Sequence, residues 1–135
     1  MKTFMSGSAT RWMLASALAL SACGDSTSSP GIQPEIVNAT DNFQYQVSAI
    51  EDYSGTQTYT WQNTGTTATI NQSASVSAGS ATLVLLDADG TQVYSRSLAE
   101  DGTFSSAAGT AGSWRVRVTY SSVDATVNFR ADKTN

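Results

Sequence analysis

The chain of 135 residues contains no histidine. That removes the side chain most used as a neutral-pH base and zinc ligand, so Ser-His-Asp, Cys-His and histidine-based zinc chemistry are excluded by composition. Cysteine occurs once, at Cys23, and a disulfide within a monomer is therefore impossible. Pro30 and Pro34 are the only prolines, which leaves the rest of the chain open to uninterrupted strands. Charge is sparse, at 13%, and tilts acidic, with seven Lys and Arg against eleven Asp and Glu. No basic stripe is present, so nucleic acid is not expected as a partner. No Gly-rich loop carries a phosphate-binding lysine, since Lys133 sits beside the chain end. Long apolar runs are missing too: "WMLASALALSA" (Trp12 to Ala22) has eleven uncharged residues, where a membrane-spanning helix needs about 20.

What is there begins with "MKTFMSGSATRWMLASALALSAC". Lys2 and Arg11 supply a basic region, an apolar region follows, and small residues close it, the layout of a secretory signal. Leu20-Ser21-Ala22-Cys23 resembles the bacterial lipobox. The resemblance implies diacylglyceryl attachment to the Cys23 sulphur, cleavage just before Cys23, and acylation of the new amine by a chain such as palmitate. A thiolate is the natural nucleophile for the first step, and two or three acyl chains anchor a protein stably where one does not. Residues 1–22 are then a lipoprotein signal peptide and residues 23–40 a lipidated cysteine with a flexible tether. The expected location is the bacterial cell envelope, with the membrane as a partner through Cys23. Gly24 rather than an aspartate follows the cysteine, which points to the outer membrane, with the domain periplasmic or surface-exposed.

Processing would leave 113 residues. Losing Lys2 and Arg11 leaves five basic against eleven acidic residues, a net side-chain charge of −6, which favours solubility beside an anionic membrane. "GDSTSSPGIQPEIVNAT" (Gly24 to Thr40) is dense in Ser, Thr, Gly and Pro and has no apolar period, the composition of a tether. Seventeen such residues span roughly 20 to 25 Å. Its "PEIVNA" segment is a candidate edge strand.

Residues 41–133 show no helical periodicity. "NFQYQVSAI" alternates Phe43, Tyr45, Val47 and Ala49 with polar neighbours, the mark of a half-buried strand. "TQTYTWQN" puts Tyr59 and Trp61 on one face, and "TTATINQSASV" reads as a strand with a bend. "SATLVLLDADGTQVYSRSL" is the clearest hairpin, with Asp89-Gly90 at the turn because glycine accepts positive φ at low cost. Its return leaves open whether Val93 or Tyr94 faces inward. Phe104 is expected to plug the core from a loop or short strand. "GSWRVRVTY" and "DATVNFRA" form the last pair, with Trp114, Val116, Val118 and Tyr120 on one face and Ala125, Val127 and Phe129 on another. The expected fold is all-β: an antiparallel β-sandwich of seven to eight short strands, with a small barrel as the alternative.

"LVLLDADG" followed by "GTAGSWRVRVTY" resembles the bacterial pre-peptidase C-terminal type of β-sandwich, over roughly Ser80 to Phe129. Asp87, Asp89 and Gly90 match that family's turn, and Gly112, Trp114, Val116 and Val118 match its late strand. The resemblance implies a non-catalytic domain of the kind that accompanies secreted hydrolases in export or substrate contact. This chain departs from it by carrying a lipobox and no hydrolase.

Candidate sites are few. Glu51-Asp52 and Glu100-Asp101 are the candidate carboxylate pairs for glycosidase chemistry, but each falls on a turn-like segment, and adjacent strand residues point to opposite faces. No catalytic residue is assigned. Asp87 and Asp89 in "DADG" invite a calcium reading, which Glu100 or Asp101 would have to complete because the later EF-hand ligands are missing; a plain hairpin turn is the alternative. Arg115, Arg117 and Arg130 would share one outward face if the last two strands pair, and could grip a carboxylated glycan, a lipid head group or an acidic protein. Tyr53 is a candidate exposed aromatic for stacking on sugar. Asn38 ("NAT") and Asn71 ("NQS") match glycosylation acceptors only formally. Together these features describe a non-enzymatic, lipid-anchored envelope protein acting as a binding or accessory module toward an envelope protein or glycan. A cell-surface carbohydrate-binding module and a structural subunit of an envelope assembly, reached by β-augmentation, are the alternatives.

Overall fold

A computed structural model describes residues 32–134. The lipobox-like Leu20 to Cys23 and the first part of the expected tether lie outside the described residues. Seven strands follow one another: β1 (Glu35–Ala39), β2 (Asn42–Asn63), β3 (Ala68–Gln72), β4 (Ser75–Leu86), β5 (Gln92–Ser97), β6 (Gly102–Ser105) and β7 (Gly112–Lys133). Every pairing is antiparallel, and the strands form one sheet whose edges do not close into a barrel.

The sheet is organised around β7. On one side β2 follows it end to end, from Asn42 opposite Asp132 to Asn63 opposite Gly112. On the other side β3 and β4 follow in succession: Ala68 opposite Lys133, then Ser75 opposite Thr126 and Leu86 opposite Arg115. β1 extends the sheet beyond β2, β6 beyond β3, and β5 beyond β4.

The two long pairings break register at the same level, at Val47–Gly55 in β2 and Val76–Ser80 in β4, both opposite the Tyr120–Val127 stretch of β7. Ala49, Asp52, Gly79 and Ser122 have positive φ there. Bulges of this sort bend strands, and here they crease the sheet so that one half lies over the other. The lower layer holds β1, the first half of β2, the second half of β7, β3 and β6. The upper layer holds the second half of β2, the first half of β7, most of β4, and β5. Contacts within β2 show the folding directly: Tyr45 and Tyr59, on opposite sides of the crease, have ring centroids 6.0 Å apart, and Phe43 and Tyr59 5.7 Å.

Between the layers lies the core expected from period-two alternation: Phe43, Tyr45, Trp61, Ile70, Leu83, Leu85, Trp114, Val116, Val118, Val127 and Phe129 are all buried. Each such side chain contributes about 1.5–3 kcal/mol of burial. Trp61 meets Trp114 edge to face at 6.0 Å, and each indole N–H finds a carbonyl, on Ala39 and Thr110 respectively.

The all-β sandwich is as expected, and the barrel alternative is not what forms. One detail differs, and two points left open by the sequence are resolved. The segments read as separate last strands are one 22-residue strand, β7, and the first two are likewise one strand, β2. Strands bend here through bulges, whose residues, such as Asp52, Gly79 and Ser122 with positive φ, are the same types that end a strand in a turn. "EIVNA" is β1, so the region expected to be tether supplies an edge strand. Val93 and Tyr94 are both buried, because the register slips between Leu85 opposite Tyr94 and Leu86 opposite Gln92, leaving Val93 as the extra residue of a bulge.

Candidate functional site

The Asp87–Gly90 turn is built inward. Asp87 Oδ1 accepts the N–H groups of Asp89 (3.0 Å) and Thr91 (2.8 Å), and Oδ2 accepts that of Thr110 (2.9 Å). These bonds, that from Thr110 foremost, hold the Asp87 carboxyl below its ordinary value. Asp89 Oδ2 accepts the Thr110 hydroxyl at 2.7 Å. Gly109 passes so close that a Cβ there would lie 2.7 Å from Asp87 Cβ. Both aspartates therefore tie the hairpin to the segment leading into β7. Glu100 pairs with Arg96 at 2.7 Å, and Asp101 Oδ1 accepts the Ala74 N–H at 2.9 Å. Among the described residues no group of three or more potential metal ligands forms, so neither acid completes a calcium shell around Asp87 and Asp89.

A groove of about 570 Å³ lies at the crease, lined by Glu51, Asp52, Ser75, Ser77 and Asp124 among others. One of its carboxylates serves the bend: Asp124 Oδ1 accepts the Asp52 N–H at 2.7 Å. The Glu51-Asp52 and Glu100-Asp101 pairs do not face each other across a cleft.

The three arginines part company. Arg115 lies opposite Thr60 and Leu86, and Arg117 opposite Thr58 and Val84, all in the upper layer. Arg130 lies opposite Gln44 and Asn71 in the lower layer and pairs with Asp132 at 3.0 Å. The expectation of one shared face fails because both arginine-bearing segments belong to a single strand, and the crease between them turns their outward faces apart. What remains is an upper face crossed by three rows: Thr60, Arg115 and Leu86; Thr58, Arg117, Val84 and Ser95; Thr56, Thr119, Thr82 and Ser97. No acidic residue falls in these rows, and among the described residues neither Arg115 nor Arg117 makes an ion pair. The two guanidinium stems stand roughly 7 Å apart along the strand.

Tyr53 is half-buried rather than open. Its ring packs edge-on to Tyr120 at 5.4 Å, beside a polar knot that sequence reading missed. Tyr45 O–H and Tyr59 O–H both donate to Gln57 Oε1 at 2.8 Å, and Tyr45 and Tyr120 hydroxyls lie 2.7 Å apart. Burial pushes the Tyr45 and Tyr120 phenols well up. Gln72 is a second missed group. It is buried, its amide donates to Ser97 O (3.1 Å) and Glu100 O (2.7 Å), and it accepts Tyr94 O–H at 2.6 Å. The alternation Ala68, Ile70, Gln72 was the available signal for its inward direction. Asn38 Nδ2 donates to Thr60 O, and Asn71 Nδ2 to Thr103 Oγ1, so both asparagines serve cross-strand contacts.

No family model and no curated protein matches the chain. Among solved structures, a chain from the crystal structure of accessory secretory protein 1, 2 and 3 in Streptococcus pneumoniae aligns over 81% of this chain and 99% of its own length, at 8% identity and a TM-score of 0.39. A chain of the infectious bursal disease virus Gt strain aligns over 78% of this chain and 33% of its own, at 13% identity and a TM-score of 0.33. Both scores lie too low to bear on architecture or role.

Proposed function

We propose that this protein is a non-enzymatic, lipid-anchored module of the bacterial envelope whose upper sheet face docks a carboxylate-bearing protein. The observation that carries the reading is the pair Arg115 and Arg117, set among Thr58, Thr60, Val84 and the buried Leu86 with no acid in their rows to neutralise them, on a chain that is otherwise acidic. Guanidinium groups in this setting favour bidentate carboxylate contacts. Exposed pairs are worth about 0.2–1 kcal/mol each, so affinity would come from several contacts across a flat face, as an accessory module requires. The lipobox at Leu20 to Cys23 supports anchoring, with the outer membrane as the favoured location. The likeness of the hairpin and late-strand motifs to pre-peptidase C-terminal sandwiches supports the same non-catalytic role. A sugar platform at Tyr53 draws no support from that ring's edge-on packing.

The test is in-cell photo-crosslinking from Thr58 and Thr119, which flank the arginines, against Gln44 and Asn71 on the lower layer. A defined protein adduct from the upper probes that disappears in Arg115→Gln/Arg117→Gln supports the proposal. Glycan adducts there, or equal labelling from both layers, would overturn it. Cys23→Ala should shift the protein from the membrane to the soluble fraction, and continued membrane retention would refute the anchor.

A further inference from the structure

The arginine face carries more order than a pair of cations. Arg115 lies directly opposite Thr60, Arg117 opposite Thr58, and Thr119 opposite Thr56, so three successive rows each set a β2 threonine beside a β7 residue. All six side chains are exposed except Arg117, which is half-buried. The residues between them, Gln57 and Tyr59 on β2 and Val116 and Val118 on β7, turn to the other side of the sheet. On the β4 side the two arginine rows continue with Leu86, buried, and Val84, half-buried, which offer the guanidiniums no polar group. The polar side chains of these rows therefore form a narrow strip over β2 and β7, roughly 5 Å wide and 14 Å long.

We infer that this strip takes an extended segment of the partner protein, with carboxylates at positions i and i+2 and an uncharged polar side chain at i+4; the inference rests on the docking reading above. An extended chain advances about 3.2–3.4 Å per residue and puts alternate side chains on one face, so its i, i+2 and i+4 positions repeat at the spacing of the rows. Each carboxylate then meets one guanidinium and the hydroxyl beside it, Arg115 with Thr60 and Arg117 with Thr58. A carboxylate has lone pairs enough for both donors. The third row holds no cation, only the Thr56 and Thr119 hydroxyls 3.5 Å apart, and suits an amide or a hydroxyl. The intervening side chains face away and are unconstrained. A helix matches less well. It is about 10–12 Å across with its side chains, broader than the strip, and its i, i+4 side chains lie about 5–6 Å apart, short of the row spacing.

Acidic peptides titrated into the isotope-labelled full chain in zwitterionic detergent, followed by NMR, test the spacing. Three share an extended Thr- and Val-rich host with two glutamates placed i,i+1, i,i+2 or i,i+4, and a fourth is an Ala-rich helical peptide with glutamates at i,i+4. The amide signals of Thr58, Thr60, Arg115 and Arg117 should move, and the extended i,i+2 peptide should bind about 1.5- to 5-fold tighter than the others, the effect of one further exposed ion pair. Arg117→Thr/Thr119→Arg keeps the charge and moves the guanidiniums two rows apart, so preference should pass to the extended i,i+4 peptide. Equal affinity for all spacings, preference for the helical peptide, or a variant that still selects i,i+2 would overturn the inference and leave carboxylate docking in place. No movement of those four signals with any peptide at millimolar concentration would overturn the docking reading along with it.

Discussion

Gly79→Ala should be among the most damaging small substitutions in the chain, because the crease leaves no space for a methyl group there. Gly79 has φ +71°, and a Cβ on it would lie 2.1 Å from Ser122 O and 2.4 Å from Ser121 O, where real Cβ atoms keep beyond 3.0 Å. Both obstacles are backbone atoms of β7, so no rotamer change relieves them. The left-handed conformation alone costs a non-glycine residue about 1–2 kcal/mol, and the displaced β7 backbone adds about 1–3 kcal/mol in the manner of overpacking. The expected loss of about 2–5 kcal/mol compares with a total stability of about 5–15 kcal/mol for a domain this size. Gly90→Ala isolates the first component: φ is +86° and nothing lies within 4 Å of the added methyl, so it should lose only about 1–2 kcal/mol. Urea unfolding followed by the fluorescence of buried Trp61 and Trp114 reads both. Thermal melts followed by the same fluorescence should separate the two variants by about 4–24 °C, at about 4–8 °C per kcal/mol for the overpacking component of about 1–3 kcal/mol. The converse holds at Ala49, where φ is +56°: Ala49→Gly relieves strain and should leave stability unchanged or slightly raised, by up to about 1 kcal/mol. Equal losses at Gly79 and Gly90 would refute the idea that close approach of β4 to β7 shapes the crease.

Gln72→Leu leaves the buried Tyr94 hydroxyl without its acceptor and removes a donor from Glu100 O, while Ser97 O keeps the Glu100 N–H; it should cost about 1–3 kcal/mol, the usual penalty for a buried orphan group. Adding Tyr94→Phe should recover part of that in urea titrations, a coupling that simple loss of packing would not produce. Stability should also fall at both pH extremes. Tyr45 and Tyr120 have raised values, so the folded state keeps protons that the unfolded state releases near pH 10; their contribution is complete below that and declines as pH climbs above it. Asp87 has a lowered value, so its contribution is complete above the ordinary 3.8 and is lost as pH falls through the folded value. Tyr120→Phe should flatten the alkaline limb and Asp87→Asn the acid limb, measured as urea midpoints against pH.

The core was largely legible because it depends on alternation, and alternation survives bending. Phe43, Tyr45 and Val47, and likewise Trp114, Val116, Val118 and Tyr120, face inward as their spacing requires. What could not be read was continuity. A break at Ala49 to Asp52 or at Ser121-Ser122 reads as a loop, because nothing local distinguishes a turn that ends a strand from a bulge that bends it. That distinction decided the site: once β7 is one strand, Arg130 must leave Arg115 and Arg117, which the residues themselves never indicated. Tyr53 failed as an exposed aromatic for the same reason, since its partner Tyr120 is brought to it only by the long pairing of β2 with β7.

The same construction explains why the acidic residues make poor catalysts and the arginines a better candidate contact. A sheet folded across its middle has strained backbone at the crease and tight connections at its ends, and both need acceptors for N–H groups that the ladder leaves unpaired. Asp124 answers the Asp52 N–H at the crease, Asp87 answers three at the hairpin, Asp101 answers Ala74, and Asp41 answers Thr64 where β1 turns into β2. At Asp87 and Asp41 these bonds hold the carboxyl below its ordinary value, which keeps it charged rather than poised to exchange protons with a substrate. Arg115 and Arg117 stand where the ladder is regular and every backbone group is already paired by β2 and β4. Their side chains owe nothing to the fold, so Arg115→Gln/Arg117→Gln should leave the urea midpoint within about 0.5 kcal/mol of wild type. A larger loss would make the pair structural and would remove the observation on which the docking face rests.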